Sequence, residues 1–149
     1  MRHLLIGVMC AVFIISVVAP AAADTPAGIV KTVKGVASII HQEKVVSAAD
    51  GQKIFKGDTL KTGPNGSLGI IFEDDTLLSL GPNSEVVIDE YVFAPAQGNM
   101  SIVTRMIKGT ASYLSGIIAK LSPQSVKFET PTATLGIRGT RFCAQVEEK

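Results

Sequence analysis

The stretch "SLGIIFEDDTLLSLGPNSEVVI", Ser67 to Ile88, decides how the rest of the chain is read. Leu68, Ile70 and Phe72 alternate along one face, three acids interrupt, and Thr76, Leu78 and Leu80 return on the same face. Period-two alternation on both sides of a polar break is the pattern of a β-hairpin with one buried face. Asp74 and Asp75 are expected to form a two-residue loop that sets Glu73 opposite Thr76, since Asp tolerates positive φ better than most side chains. A metal or acid/base site would need Glu73, Asp74 and Asp75 to converge, whereas adjacent strand residues point to opposite faces. A calcium loop would alternate oxygen ligands through a longer, glycine-containing segment. The acids therefore read as a hairpin tip.

Working outward, the chain from Gly28 onward shows short alternating runs separated by turn residues about every ten positions, an all-β pattern. Asp50-Gly51, Gly57-Asp58 and Pro64-Asn65-Gly66 mark turns, and Gly35 interrupts a strand as at a bulge or bend. Two repeats stand out. "TGPNGSLGI" (Thr62–Ile70) aligns with "LGPNSEVVI" (Leu80–Ile88), a Gly-Pro-Asn corner followed by a strand in each case. "TVKG", "MIKG" and "GIRG" each end a strand with an aliphatic residue, a basic residue and a glycine, at Gly35, Gly109 and Gly139. Such repetition predicts stacked antiparallel hairpins, as a two-sheet sandwich or a short β-solenoid-like roll. "YLSGIIAKLSPQS" (Tyr113–Ser125) reads equally as a strand edge or a single helical turn.

The start of the chain combines Arg2 and His3, an apolar run from Leu4 to Val18, and Pro20 before "AAAD". This layout predicts a cleavable signal peptide over residues 1–23, a single domain over residues 24–149, a periplasmic location and no stable membrane insertion after cleavage. Without Arg2, 13 basic side chains face 13 acidic ones, a balance that argues against nucleic-acid partners. One cysteine would remain, Cys143, too few for an internal disulfide. It is expected in the second layer of the core, because free cysteine is usually buried; an exposed thiol with a disulfide-linked partner is the alternative.

Among candidate sites, Arg138 and Arg141 with Thr140 could hold a carboxylate or phosphate. The preferred reading is that Arg138 satisfies backbone carbonyls at a glycine corner. No Gly-x-Ser-x-Gly elbow occurs, and Ser115 and His41 have no sequence context for catalysis. No catalytic, cofactor or metal residue is assigned, and no cofactor is expected.

Together "GVASII", "ADGQKIFKGDTLKTGPNGSLGIIFEDDTLLSLGPNSEVVI", "IVTRMIKGTASYL" and "VKFETPTATLGIRGTRF" resemble the FecR domain, over about residues 28–146, with the closing "TP…RGT.F" the most specific part. The resemblance implies an all-β periplasmic domain that works through partner contacts and has no catalytic residues to carry over. Regulators of the family add a cytoplasmic anti-sigma segment, a membrane helix and a receptor-contacting subdomain. None of these is read in this sequence, so direct anti-sigma activity is not expected. Where the family tends to have Asp-Gly, this chain has Asp74-Asp75. The expected function is a FecR-like binding module for an envelope protein or cell-wall ligand, in signalling or envelope organisation. The alternatives are a small exported hydrolase using Glu73, Asp74 and Asp75, or a glycan-binding module, the latter against the absence of Trp and a total of 2 Tyr.

Overall fold

The computed structural model describes residues 23–148; the expected signal peptide, apart from Ala23, lies outside them. The elements are β1 (Gly28–Lys34), β2 (Ala37–His41), β3 (Lys44–Ser47), β4 (Lys53–Ile54), β5 (Thr59–Thr62), β6 (Ser67–Phe72), β7 (Leu77–Leu80), β8 (Glu85–Ala94), β9 (Asn99–Leu114), α1 (Ile117–Leu121), β10 (Val126–Glu129), β11 (Thr134–Gly136) and β12 (Arg141–Val146). The fold is all-β, and its one parallel pairing among the described residues is β9 with β10.

The strands form one curled sheet, and β9 is the reason it curls. The first part of β9 pairs with β8 and β10, and the part after Gly109 pairs with β7 and β12. One half of the sheet thus runs β3-β2-β5-β8-β9-β10-β11 and the other β4-β1-β6-β7-β9-β12, with the 16-residue β9 common to both. The strand turns at Gly109, which has φ +95° and lies so close to Ser84 that a Cβ there would collide with it.

The sequence repeats mark where the chain passes between the halves. Gly35, Gly109 and Gly139, the three aliphatic-basic-glycine ends, all have positive φ. They lie at the β1–β2 passage, within β9, and at the β11–β12 passage. Both Gly-Pro-Asn corners are passages too, from β5 to β6 and from β7 to β8. Each docks on a glycine corner in the same way: Gly63 N–H donates to Val36 C=O (2.8 Å) and Gly81 N–H to Thr110 C=O (3.0 Å). The two Gly-Pro-Asn corners also join each other, through Asn83 N–H to Gly63 C=O and Thr62 Oγ1 to Gly81 C=O.

One core fills the space between the halves. Leu68, Ile70, Leu78, Leu80 and Tyr113 come from one side and Leu60, Val86, Ile88, Ile102 and Phe128 from the other. Phe128 meets Tyr113 and Phe142 edge-on, with ring centroids 5.9 and 5.1 Å apart. The ambiguous stretch after Tyr113 ends β9 at Leu114 and then makes the short α1, whose Ile118 and Ala119 are buried in the same core.

Candidate functional site

The acids at the β6–β7 hairpin are the natural starting point, and their geometry departs from the sequence reading. Asp75 N–H donates to Phe72 C=O (3.0 Å), Phe72 N–H donates to Thr76 C=O (2.9 Å), and Asp75 has φ +64°. The loop therefore contains three residues, Glu73-Asp74-Asp75, built as a turn followed by one left-handed position. Phe72, not Glu73, lies opposite Thr76. The added loop residue leaves Glu73 and Asp75 exposed and turns Asp74 into the protein, where it is fully buried.

Asp74 is a hub, not a tip. Its Oδ2 accepts from Thr76 Oγ1 (2.8 Å) and Ile118 N–H (3.2 Å); its Oδ1 accepts from Thr76 N–H (3.3 Å) and Tyr91 OH (3.4 Å). Its N–H donates to Tyr91 Oη (3.0 Å) and its C=O accepts from Ile117 N–H (2.7 Å). Thr76 Oγ1 in turn accepts from Gly116 N–H (3.0 Å), and Gly116 packs so tightly on Asp74 and Thr76 that no side chain fits there. One carboxylate thus ties the hairpin to β8 and to the start of α1. Burial, followed by the charge of Asp74, pushes the Tyr91 phenol well above its ordinary range; burial and then Asp74 do the same to Tyr113.

The second buried acid is also occupied. Asp58 Oδ1 pairs with His41 Nδ1 (2.5 Å) and its Oδ2 accepts from Phe55 N–H (2.9 Å), while the His41 ring lies on Phe55 with centroids 4.9 Å apart. His41 is thus a satisfied structural histidine, joining β2 to the turn before β5.

A surface groove of about 520 Å³ runs beside the hairpin, lined by Thr25, Pro26, Glu73, Tyr91, Val92, Phe93 and Ala94. Among the described residues Glu73 is the one carboxylate lining it, and Tyr91 already bonds Asp74. The three hairpin acids do not converge, as the hydrolase reading requires. Among the described residues no group of three or more His, Cys, Asp or Glu side chains is placed to hold a metal ion. Neither tyrosine offers a free ring for sugar stacking: Tyr113 is buried and Tyr91 stacks on Phe72 at 5.4 Å.

Two further expectations are corrected. Arg138 and Arg141 are exposed, and among the described residues neither guanidinium makes a hydrogen bond or ion pair; at this corner only Thr140 Oγ1 donates to Arg138 C=O (3.0 Å). The corner is closed by backbone, through Ser115 N–H to Thr140 C=O (3.2 Å). Cys143 is exposed, because β12 turns Phe142 and Ala144 toward the core and Cys143 away from it.

The outer faces of the two halves differ. On the β5-β8-β9-β10 side, charges of opposite sign pair across strands: Lys61 with Glu85 (3.5 Å) and Arg105 with Asp89 through two bonds (2.8 and 2.9 Å). On the β6-β7-β9 side the outward positions are Ser67, Gly69, Ile71, Leu77, Ser79, Thr110, Ser112 and Leu114, with no charge among them. Sequence reasoning missed this neutral face because it depends on which strands become neighbours.

The class these features define is an all-β domain whose buried acids and glycine corners serve the fold. A protein-family model described as FecR protein matches residues 58–149, more than half of the chain, and the chain belongs to that family. Its role is regulatory signalling, generally non-enzymatic. The match begins at Asp58, so β1 to β4 precede it although they complete both halves of the sheet. No curated protein and no solved structure matches the chain. Among the described residues no helix is long and apolar enough to cross a membrane.

Proposed function

We propose that this chain is an exported, periplasmic FecR module that acts by binding an envelope protein or cell-wall ligand and performs no chemistry of its own. The observation that carries this reading is the state of the acids. Asp74, the one member of the cluster with converging polar partners, is fully buried, and both its oxygens receive donors from the fold. A carboxylate so engaged cannot reach a substrate, and among the described residues the side chains of its exposed neighbours Glu73 and Asp75 make no hydrogen bond to a base or nucleophile. Membership of the FecR family supports the regulatory role.

The neutral outer face of β6, β7 and β9 is the contact surface. The exposed Leu114 and the half-buried Ile71 and Leu77 form an uncharged row there, and loss of charge is what distinguishes the centre of an interface from ordinary surface. A photoreactive side chain placed at Ser79 tests this in the native envelope, with one at Val87 on the opposite half as control. A discrete adduct from Ser79, lost on Leu77→Glu and absent from Val87, is expected. Equal labelling from both positions would refute the assignment.

A further inference from the structure

We infer that β12 is a self-association edge, along which two copies of this chain pair antiparallel about a two-fold axis through Cys143. This stands on strand geometry and charge, and it goes beyond the contact surface proposed above.

Among the described residues the edge is open: β12 pairs only with β9, and it does so over six residues without a bulge. The other strands that end the sheet are shorter, with four residues in β3, two in β4 and three in β11, and β8 is also uncovered from Asp89 to Ala94, beyond its pairing with β5. Exposed edges are normally blunted by charged side chains, proline or a bulge, and of these β12 has only Arg141, at its first position. Its inward residues Phe142, Ala144 and Val146 pack on the core yet stay partly exposed, so the core is incompletely covered along this side.

The backbone selects the register. Thr110 turns both its N–H and its C=O toward β7 and the corner after it, meeting Ser84 Oγ (2.9 Å) and Gly81 N–H (3.0 Å). Alternation then turns Ala111 and Tyr113 toward β12, where they face Ala144 and Phe142. The N–H and C=O groups of Arg141, Cys143 and Gln145 are left pointing to the free edge. Antiparallel pairing of two copies centred on Cys143 sets Arg141 against Gln145 and Cys143 against Cys143, and so uses all three.

Charge selects the same register. The strand is basic before its centre, at Arg138 and Arg141, and acidic after it, at Glu147 and at Glu148, whose carboxylate also accepts from Lys108 Nζ of its own chain (3.1 Å). Antiparallel pairing about Cys143 brings the basic end of each copy beside the acidic end of the other, whereas a parallel arrangement would set like charges together. Phe142 of one copy would also lie opposite the small Ala144 of the other, covering the half-exposed inward row.

The test is sedimentation equilibrium of the purified protein across the micromolar range, where a dimer is expected. Gln145→Pro removes a free-edge N–H while leaving the β9–β12 bonds in place. It should raise the dimer dissociation constant by at least about tenfold (about 1.4 kcal/mol) without changing the circular dichroism of the monomer. Glu147→Arg/Glu148→Arg should be monomeric alone and form heterodimers when mixed with Arg138→Glu/Arg141→Glu, a rescue that a folding defect would not produce. Diamide, accepting two electrons and two protons from a pair of thiols, should link two wild-type copies through Cys143 and should not link the Gln145→Pro protein. A wild-type monomer throughout this range, whatever else binds the edge, would overturn the proposal. So would a dimer that survives both Gln145→Pro and the charge reversals.

Discussion

Asp74→Asn is the sharpest probe of the hub. The substitution keeps the shape of the side chain and replaces one acceptor oxygen with an NH₂ donor. In the wild type each oxygen receives one backbone N–H and one hydroxyl: Thr76 N–H with Tyr91 OH at Oδ1, and Ile118 N–H with Thr76 OH at Oδ2. A hydroxyl can rotate to accept from the new NH₂, but a backbone N–H cannot. Whichever way the amide turns, one buried N–H is left facing a donor, at a cost of about 1–3 kcal/mol. The bonds that remain lose the carboxylate charge that roughly doubles their strength, which brings the expected loss to about 3 kcal/mol. For a domain of this size that is a fall in Tm of roughly 10 °C. Urea unfolding followed by circular dichroism measures it, with the midpoint lowered and the slope unchanged. An unchanged midpoint would refute the claim that this carboxylate holds the hairpin, β8 and α1 together.

Asp75→Gly should do the opposite, raising stability by up to about 1 kcal/mol, because it relieves a left-handed position at which Asp75 has φ +64° and, among the described residues, makes no side-chain hydrogen bond; thermal melting reads it. Gly109→Ala combines a positive φ with a collision against Ser84 and should cost about 2–4 kcal/mol or prevent folding, as judged from soluble yield and urea midpoint. Arg138→Ala should leave the midpoint within about 0.5 kcal/mol of wild type, as for other exposed side chains; a large drop would restore a structural role for that arginine. Alkaline pH should unfold the protein. Tyr91 and Tyr113 have phenols raised above their ordinary value, so the folded state keeps protons that the unfolded chain releases from about pH 10. Their contribution is complete below that pH and is lost progressively above it, as pH rises toward the raised values of the folded state, so tyrosinate absorbance should appear only together with loss of the β-sheet circular dichroism signal.

What the sequence determined by itself was local and periodic. Alternation at Leu68, Ile70 and Phe72, then at Thr76, Leu78 and Leu80, specified a hairpin and its buried face, and all six side chains are buried. The Gly-Pro-Asn and basic-glycine repeats marked corners, because positive φ and preset proline geometry are properties of single residues and show in composition at each place. The FecR resemblance was readable for the same reason, being a succession of such corners at fixed spacing. The tertiary structure decided whatever depended on a partner far along the chain. Asp74 is a hub only because Tyr91, 17 residues on, and Ile118, 44 residues on, are brought to its oxygens, and one extra loop residue turns it inward to meet them. Arg138 lost its expected role because Ser115, on the far side of α1 and β10, closes the corner through backbone. Cys143 faces outward because β12 pairs with the end of β9 in a register that directs Phe142 and Ala144 to the core. In each case the residue's type allowed several environments, and the choice among them was made by neighbours that only folding supplies.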